Sequence, residues 1–120
     1  MYKGKPHQPR ESNVKCTTRT ADVKWTSSFD GGDSQTFTVF ALVGQQEVSK
    51  SELIQDEGEG KTHSTTIVNL QPSTEYMFYV SAENQHGNTS SEFHHCKTLP
   101  DGRMVKKFQY KFQSQLAVHN

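Results

Sequence analysis

The sequence predicts an all-β fold, a seven-stranded antiparallel β-sandwich. Apolar and polar residues alternate along Glu75–Asn84, which is typical of a strand with one buried face and one solvated face. Seven short segments of this kind follow one another at spacings of about 8–14 residues, separated by turn signals and without any helical periodicity. A series of short strands without helices favours two sheets packed face to face.

The strands follow from alternation and from the turns between them. Asp30-Gly31-Gly32-Asp33 is a strong turn signal, because glycine accepts backbone angles that other residues avoid. We predict a turn over residues 44–50 and an acidic, glycine-rich loop over residues 56–61. The predicted strands cover residues 13–18, 21–26, 35–43, 51–55, 62–70, 75–84 and 89–98.

One side of each strand is predicted to form the core. Leu70 and Pro72 lead into Tyr76, the first inward residue of the sixth strand. This is the form of a tyrosine corner, in which the ring packs in the core and the hydroxyl returns to upstream backbone. The residues assigned to the core are Trp25, Phe37, Val39, Ile67, Leu70, Tyr76, Phe78 and Val80.

Charge is distributed unevenly over a chain whose formal net charge is zero. Residues 12–98 carry 6 Lys/Arg and 11 Asp/Glu, whereas the segments on either side are basic. An acidic body argues against nucleic-acid binding. We expect a linker at residues 1–11, one domain at residues 12–98, and a flexible basic, aromatic extension at residues 99–120.

The chain ends suggest a piece of a longer protein. No apolar run reaches the roughly 20 residues that span a bilayer. The N-terminal residues lack the apolar core of a signal peptide. We therefore expect the chain to belong to a larger molecule.

Three features in the right order resemble the fibronectin type III domain. These are Trp25 on the second strand, Gly31-Gly32 followed by Phe37-Thr38-Val39, and the stretch from Leu70 to Gly87. The resemblance as a whole covers roughly residues 9–98. An immunoglobulin domain would place a cysteine two residues after the corner tyrosine, where this chain has Phe78, and its Trp on the third strand.

The stretch from Phe29 to Phe37 resembles the membrane-proximal module of nephrin-like immunoglobulin-superfamily adhesion receptors. This resemblance implies a non-enzymatic protein–protein interaction module of a cell-surface receptor, acting in cell–cell adhesion. Its partners would be other proteins, cell-surface receptors or matrix. Giant intracellular muscle proteins also carry Gly-Gly in this loop, so a structural spacer in a tandem array is the alternative.

Two features bear on the compartment. Cys16 on the first strand and Cys96 on the last lie where a bridge is plausible, and a disulfide would imply an oxidising compartment. Two unrelated buried thiols are the alternative. Asn88-Thr89-Ser90 is an N-glycosylation sequon, which we place at a loop tip.

Chemistry beyond binding is not predicted. His94 and Cys96 share a strand face, but His95 points away and no second ligand cluster has zinc-like spacing. The acidic loops lack the spacing of a calcium loop. No nucleophile elbow or phosphate-binding loop occurs. We therefore predict no catalytic residues, no metal ligands and no cofactor.

Recognition is expected to use exposed loops on a rigid scaffold. We place residues 30–35 at one end of the sandwich and residues 56–61 at the other. Residues 105–112 interleave aromatic and basic side chains, which suits an anionic membrane surface, an added strand, or a flexible extension. The candidate loop residues are Asp30, Asp33, Gln35, Glu57 and Glu59.

Overall fold

The computed structural model describes residues 3–102, which form two antiparallel sheets packed face to face. The expectations for residues 105–112 fall outside this part of the chain. Within it the strands are β1 (Arg10–Cys16), β2 (Ala21–Thr26), β3 (Thr36–Val43), β4 (Gln46–Lys50), β5 (Ile54–Gln55), β6 (Thr62–Ile67), β7 (Glu75–Asn84), β8 (Gly87–Ser90) and β9 (His94–Lys97).

The two sheets divide the strands three and six. The smaller sheet has the order β1-β2-β6. The larger has the order β4-β3-β7-β8, with β5 also pairing with β3 and β9 with β7. All pairs are antiparallel. The predicted β-sandwich is confirmed.

The predicted count of seven strands is wrong, because residues 3–102 contain nine. Residues 46–50, expected to be part of a turn, form β4, since Gly44 at φ 63° allows a hairpin that closes at Val43 and Gln46. The last predicted strand is divided into β8 and β9, and both parts pair with β7.

Two serines interrupt the strands by the same exchange of hydrogen bonds. The Ser51 N–H donates to the Val39 carbonyl at 2.8 Å, and its Oγ accepts from the Val39 N–H at 2.9 Å. Ser91 makes the same two bonds with Val80: its N–H donates to the Val80 carbonyl at 2.7 Å, and its Oγ accepts from the Val80 N–H at 2.8 Å. A side-chain hydroxyl thus takes the place of a strand carbonyl, which satisfies the buried N–H while the chain turns away.

The core lies between the sheets, on the inward positions of β2, β3, β6 and β7. The indole of Trp25 meets the Phe37 ring edge-on, with ring centroids 5.4 Å apart. All eight residues that the alternation assigned to the core are at most 3% exposed. Burial of these large apolar side chains is the main source of stability.

The corner after β6 has the geometry that its sequence suggested. The ring of Tyr76 is buried, and its hydroxyl oxygen accepts a 2.8 Å hydrogen bond from the backbone N–H of Gln71. This bond holds the loop between β6 and β7 against the core. The corner thereby sets the direction in which β7 enters the larger sheet.

Cys16 and Cys96 form a disulfide across the two sheets. Cys16 ends the edge strand β1, and Cys96 lies on β9 opposite Tyr76. Their Cα atoms are 6.2 Å apart, and both half-buried side chains pack against the core cluster. The bond joins the sheets where no backbone ladder does.

The packed unit extends beyond residues 12–98 on both sides. Pro6 and Pro9 are buried, and Gly4 N–H donates to the Gly31 carbonyl at 2.9 Å. Strand β1 begins at Arg10 instead of residue 13. Much of the predicted linker therefore lies on the sandwich.

The far end of the chain is also attached. The Leu99 N–H donates to the Thr17 carbonyl at 3.0 Å, and the Arg19 guanidinium binds the Asp101 carboxylate at 2.9 Å. The first residues of the predicted extension thus lie against the turn between β1 and β2.

Candidate interaction surface at one end of the sandwich

The two acidic loops lie at the same end of the molecule, so the expectation of opposite ends is wrong. Strand β2 pairs antiparallel with β6, and Thr26 lies opposite Thr62. The loop that leaves β2 and the loop that enters β6 must therefore meet. We call this end, formed by residues 27–35, 56–61 and 85–86 with the N-terminal residues 3–7, the loop end.

Gln35 joins the two acidic loops from the inside. Its Nε2 donates to Asp56 Oδ2 at 3.0 Å, to the Ser28 carbonyl at 3.0 Å and to Ser27 Oγ at 3.2 Å. The side chain is only 1% exposed, so the expectation that Gln35 contacts a partner is wrong. It is a structural residue that fixes how the loops sit relative to each other.

Asp56 keeps its charge although it is largely covered. Burial acts to raise the pKa of its carboxyl group, but hydrogen bonds from Gln35, Ser27 and the Gly58 N–H outweigh burial and lower it. The Gly58 N–H reaches Asp56 Oδ1 at 3.0 Å, which closes a turn at the start of the loop. The carboxylate therefore holds the loop in shape and is not free for a partner.

His63 supports the same loop from below, and the sequence predictions missed it. Its ring stacks on Trp25 with centroids 5.9 Å apart, and its Nε2 accepts from the Glu57 N–H at 3.1 Å. An accepting Nε2 in a neutral ring assigns the proton to Nδ1. The signal was available, because His63 has the same parity on β6 as inward Ile67.

Asp33 joins the other elements of the loop end. Its carboxylate accepts from Gln85 Nε2 at 2.9 Å, contacts His86 Nε2 at 2.6 Å and lies 3.4 Å from Lys3 Nζ. The hydrogen bond from Gln85, then that from His86, then Lys3, hold its pKa at about 2, below the ordinary 3.8. The turn between β7 and β8 had given no sequence signal for this role.

Hydrogen bonds to its backbone hold the N-terminal segment against the rest of the loop end. Asn84 Nδ2 donates to the Gly4 carbonyl at 2.7 Å and to the Asp30 carbonyl at 2.8 Å. Gly31, at φ 81°, lies so close that a Cβ would overlap the Gly4 carbonyl oxygen. Glycine is therefore required at this position. Asp30 is used internally too, because its Oδ1 accepts from the Gly32 N–H at 2.8 Å.

Glu57 and Glu59 are the candidate loop residues with exposed side chains. Asp30 and Asp33 are half-buried and hydrogen-bonded within the loop end. Lys61, at the end of the same loop, is exposed as well. The surface that a partner could contact here is thus a small acidic one on a rigid support.

Other predicted sites lie elsewhere. Asn88 is exposed on β8 opposite Glu83, so its expected position at a loop tip is wrong. His94 Nε2 is hydrogen-bonded to Ser12 Oγ. Within residues 3–102 no group of three or more His, Cys, Asp or Glu side chains could hold a metal ion. Nor does this part of the chain contain a helix long and apolar enough to cross a membrane.

Comparison with known proteins agrees with this architecture. The family model described as the fibronectin type III domain matches residues 7–95. Mouse contactin-3 is 33% identical over 94 residues, which are 72% of this chain and 9% of contactin-3. The chain thus spans under a tenth of the length of this relative.

Solved structures show the same fold at lower identity. Domains A168–A170 of titin superpose with a TM-score of 0.65 at 24% identity, covering 79% of this chain and 32% of that one. The FN1–FN3 domains of chicken CNTN1 give 0.61 at 20% identity, covering 78% and 32%. Domains d3–d4 of the rat CD45 extracellular region give 0.64 at 16%, covering 80% and 51%.

Proposed function

Because this chain belongs to the fibronectin type III family, a family of protein-interaction modules that are generally non-catalytic, we propose that it is an extracellular recognition module of a cell-surface adhesion receptor. The likeness to contactin-3 supports this proposal. The module would act in cell–cell adhesion by binding another receptor or a matrix protein, with no cofactor.

The disulfide carries the proposal. Cys16 and Cys96 are the two cysteines of the chain, and they are bonded to each other. Disulfides persist in oxidising compartments and are rare in the cytosol, where thiols are kept reduced. A module placed outside the cell accounts for a bond that the fold itself does not require.

The thiol state of the natural protein tests the compartment. The cells are lysed in denaturant with an alkylating reagent and without reductant. Mass spectrometry then counts the alkylated cysteines of the protein. We expect no alkylated cysteine before reduction and two after it. Two alkylated cysteines before reduction would overturn the extracellular assignment.

A glycan on Asn88 would be independent support. The side chain is exposed on β8, which leaves room for an N-linked glycan. Removal of N-glycans should increase the electrophoretic mobility of the natural protein. An Asn88→Gln variant should show no such change, and neither should the wild type if the protein never enters the secretory pathway.

The loop end is the surface we assign to the partner. Glu57 and Glu59 are exposed on a loop that Gln35, Asp56 and His63 hold rigid. A rigid acidic loop favours a partner with a basic patch, because charge complementarity steers association. The partner surface opposite it would carry Lys or Arg.

Charge reversal tests this surface. Glu57→Lys with Glu59→Lys should weaken binding to partner-bearing cells tenfold or more, roughly the effect of 1.4 kcal/mol. Glu75→Lys with Glu83→Lys is the matched control. Both residues are exposed on β7, so the same charges are reversed outside the acidic loop. Equal loss of binding in both variants would show that overall charge matters and the loop does not.

The alternative is an intracellular spacer in a muscle-type tandem array. Its support is the likeness to titin, which at 24% identity reflects the shared fold. The spacer predicts reduced thiols and an unmodified Asn88. The thiol count therefore separates the two functions.

A further inference from the structure

Strand β6 has a strand neighbour on one side within residues 3–102, where it pairs with β2. The Ser27 N–H donates to the Lys61 carbonyl at 2.9 Å. Since hydrogen bonding alternates along an antiparallel ladder, residues 63, 65 and 67 point their backbone groups toward β2. Thr62, Ser64 and Thr66 therefore present theirs at the opposite edge.

This edge carries none of the features that protect sheet edges. Proteins discourage strand addition with lysines, prolines or bulges. β6 reads Thr-His-Ser-Thr-Thr-Ile, without charge or proline, and its register with β2 is unbroken. The edge of β4, by contrast, has Glu47 and Lys50 and an irregular register.

A groove of about 960 Å³ borders the same edge, between β6 on one side and β4 and β5 on the other. Val48, Leu53 and Val68 lie along it with 50%, 66% and 53% of their surface exposed. The groove thus offers hydrogen-bonding backbone beside uncovered apolar surface. These are the two requirements for binding an extended segment.

Residues 98 and 99 contact the loop between β6 and β7, and part of this loop lines the groove. Gln71 and Thr74 line the groove, and Thr98 Oγ1 donates to the Gln71 carbonyl at 2.6 Å. The Ser73 N–H, on the same loop, donates to the Leu99 carbonyl at 3.2 Å. Residues 98 and 99 therefore lie beside the loop that lines the groove, at the end of the sandwich where β6 also ends.

The sequence that follows has the pattern that this edge would accept. In residues 105–112, Phe108, Tyr110 and Phe112 alternate with Lys107, Gln109 and Lys111. An extended chain advances about 3.3 Å per residue. Ten residues beyond position 102 can therefore reach along the roughly 20 Å of a six-residue strand.

We propose that residues 105–112 add to the free edge of β6 as an antiparallel strand, with the aromatic side chains in the groove. The direction follows from the exit point, because a segment leaving there runs opposite to β6. Lys111 would then approach Glu57 and Glu59 at the far end, so that opposite charges meet. This inference does not depend on the proposed function.

Amide hydrogen exchange in the full 120-residue chain tests the proposal. The amides of Ser64 and Thr66 should exchange about tenfold or more slowly than in a Phe108→Ser, Tyr110→Ser, Phe112→Ser variant. A Gln109→Ser, Gln113→Ser variant is the matched control and should keep the protection. Leu53→Lys, which places a charge in the groove, should remove it. The Val23 amide serves as the internal reference for the intact fold.

Three outcomes would overturn the proposal. The first is equal exchange at Ser64 and Thr66 in the wild type and the aromatic variant. The second is protection that grows with protein concentration, which would mean that the segment binds a second copy. The third is aromatic-dependent binding of the full chain to phosphatidylserine vesicles without protection of β6, which would assign the segment to a membrane surface.

Discussion

The hydroxyl of Ser91 accepts a 2.8 Å hydrogen bond from the backbone N–H of Val80, in the position where a strand carbonyl would otherwise lie. Ser51 makes the same bond to Val39, and Val39 lies opposite Val80 in the register of β3 and β7. A serine hydroxyl thus satisfies one backbone N–H in each of the strands β3 and β7, at directly opposite positions. Each hydroxyl also donates to the carbonyl of the glutamate that follows it.

Ser91→Ala should destabilise the domain by about 1–3 kcal/mol, because it leaves the buried Val80 N–H without a partner. Ser91 is 4% exposed and Val80 is 1% exposed, so water cannot readily replace the hydroxyl. Urea unfolding measures the change. Ser90→Ala, at the exposed neighbouring position, should cost less than about 0.5 kcal/mol. Equal values for the two variants would contradict the role of the hydroxyl.

Gln35→Met should cost about 2–3 kcal/mol, since it keeps the side-chain volume but removes the amide that donates to Asp56 Oδ2 and to the Ser28 carbonyl. The fluorescence of Trp25 provides an unfolding signal for the measurement. Gln55→Met, on the exposed face of β5, is the control and should be nearly neutral. A neutral Gln35→Met would mean that the two loops are held together by other contacts.

Trp25→Ala should destabilise the domain by about 3–5 kcal/mol through loss of buried apolar surface and the cavity left behind. Trp25 is completely buried between Phe37 and His63. Trp25→Phe should cost less, because within residues 3–102 the indole N–H has no hydrogen-bond partner to lose. Thermal melting followed by far-ultraviolet circular dichroism compares the two, and a small shift for Trp25→Ala would refute the core assignment.

Reduction of the disulfide should lower the free energy of unfolding by up to about 4–5 kcal/mol, because the cross-link closes a long loop in the unfolded chain. Cys16 and Cys96 are separated by 80 residues. The measurement compares the Cys16→Ser, Cys96→Ser double variant with the oxidised wild type, and with the wild type in reductant. The double variant and the reduced wild type should agree. A difference between them would show that the substituted side chains themselves alter packing.

Asp33 should make stability depend on pH below about 4. Its pKa is about 2 in the folded protein, against an ordinary value of 3.8, so the unfolded chain takes up the proton first. The stabilisation is therefore complete above pH 3.8 and is lost as the pH falls toward 2. An NMR titration should place the Asp33 carboxyl near 2. Asp33→Asn should melt lower at pH 5 and lose less on acidification, and a midpoint near 3.8 would exclude the contribution.

Several features of the loop end could not be read from the sequence. Gln35 lies in a polar stretch that looks exposed, and only the approach of Asp56, 21 residues away, shows that its amide is buried. His63 could have been placed inward from the parity of β6, but its bond to the Glu57 N–H depends on how the loop folds back. The strand interruption at Ser91 likewise depends on Val80 being opposite.

The sequence by itself determined the sandwich and its inward face, because strand periodicity is a local property: Tyr76, Phe78 and Val80 share a face in any extended chain. It also determined the corner, since Leu70, Pro72 and Tyr76 are close in sequence. The tertiary structure alone decided that residues 30–35 and 56–61 meet at one end and that Cys16 reaches Cys96. Both depend on how strands distant in sequence pair and on which sheets they join, and alternation within a single strand contains no information about its neighbours.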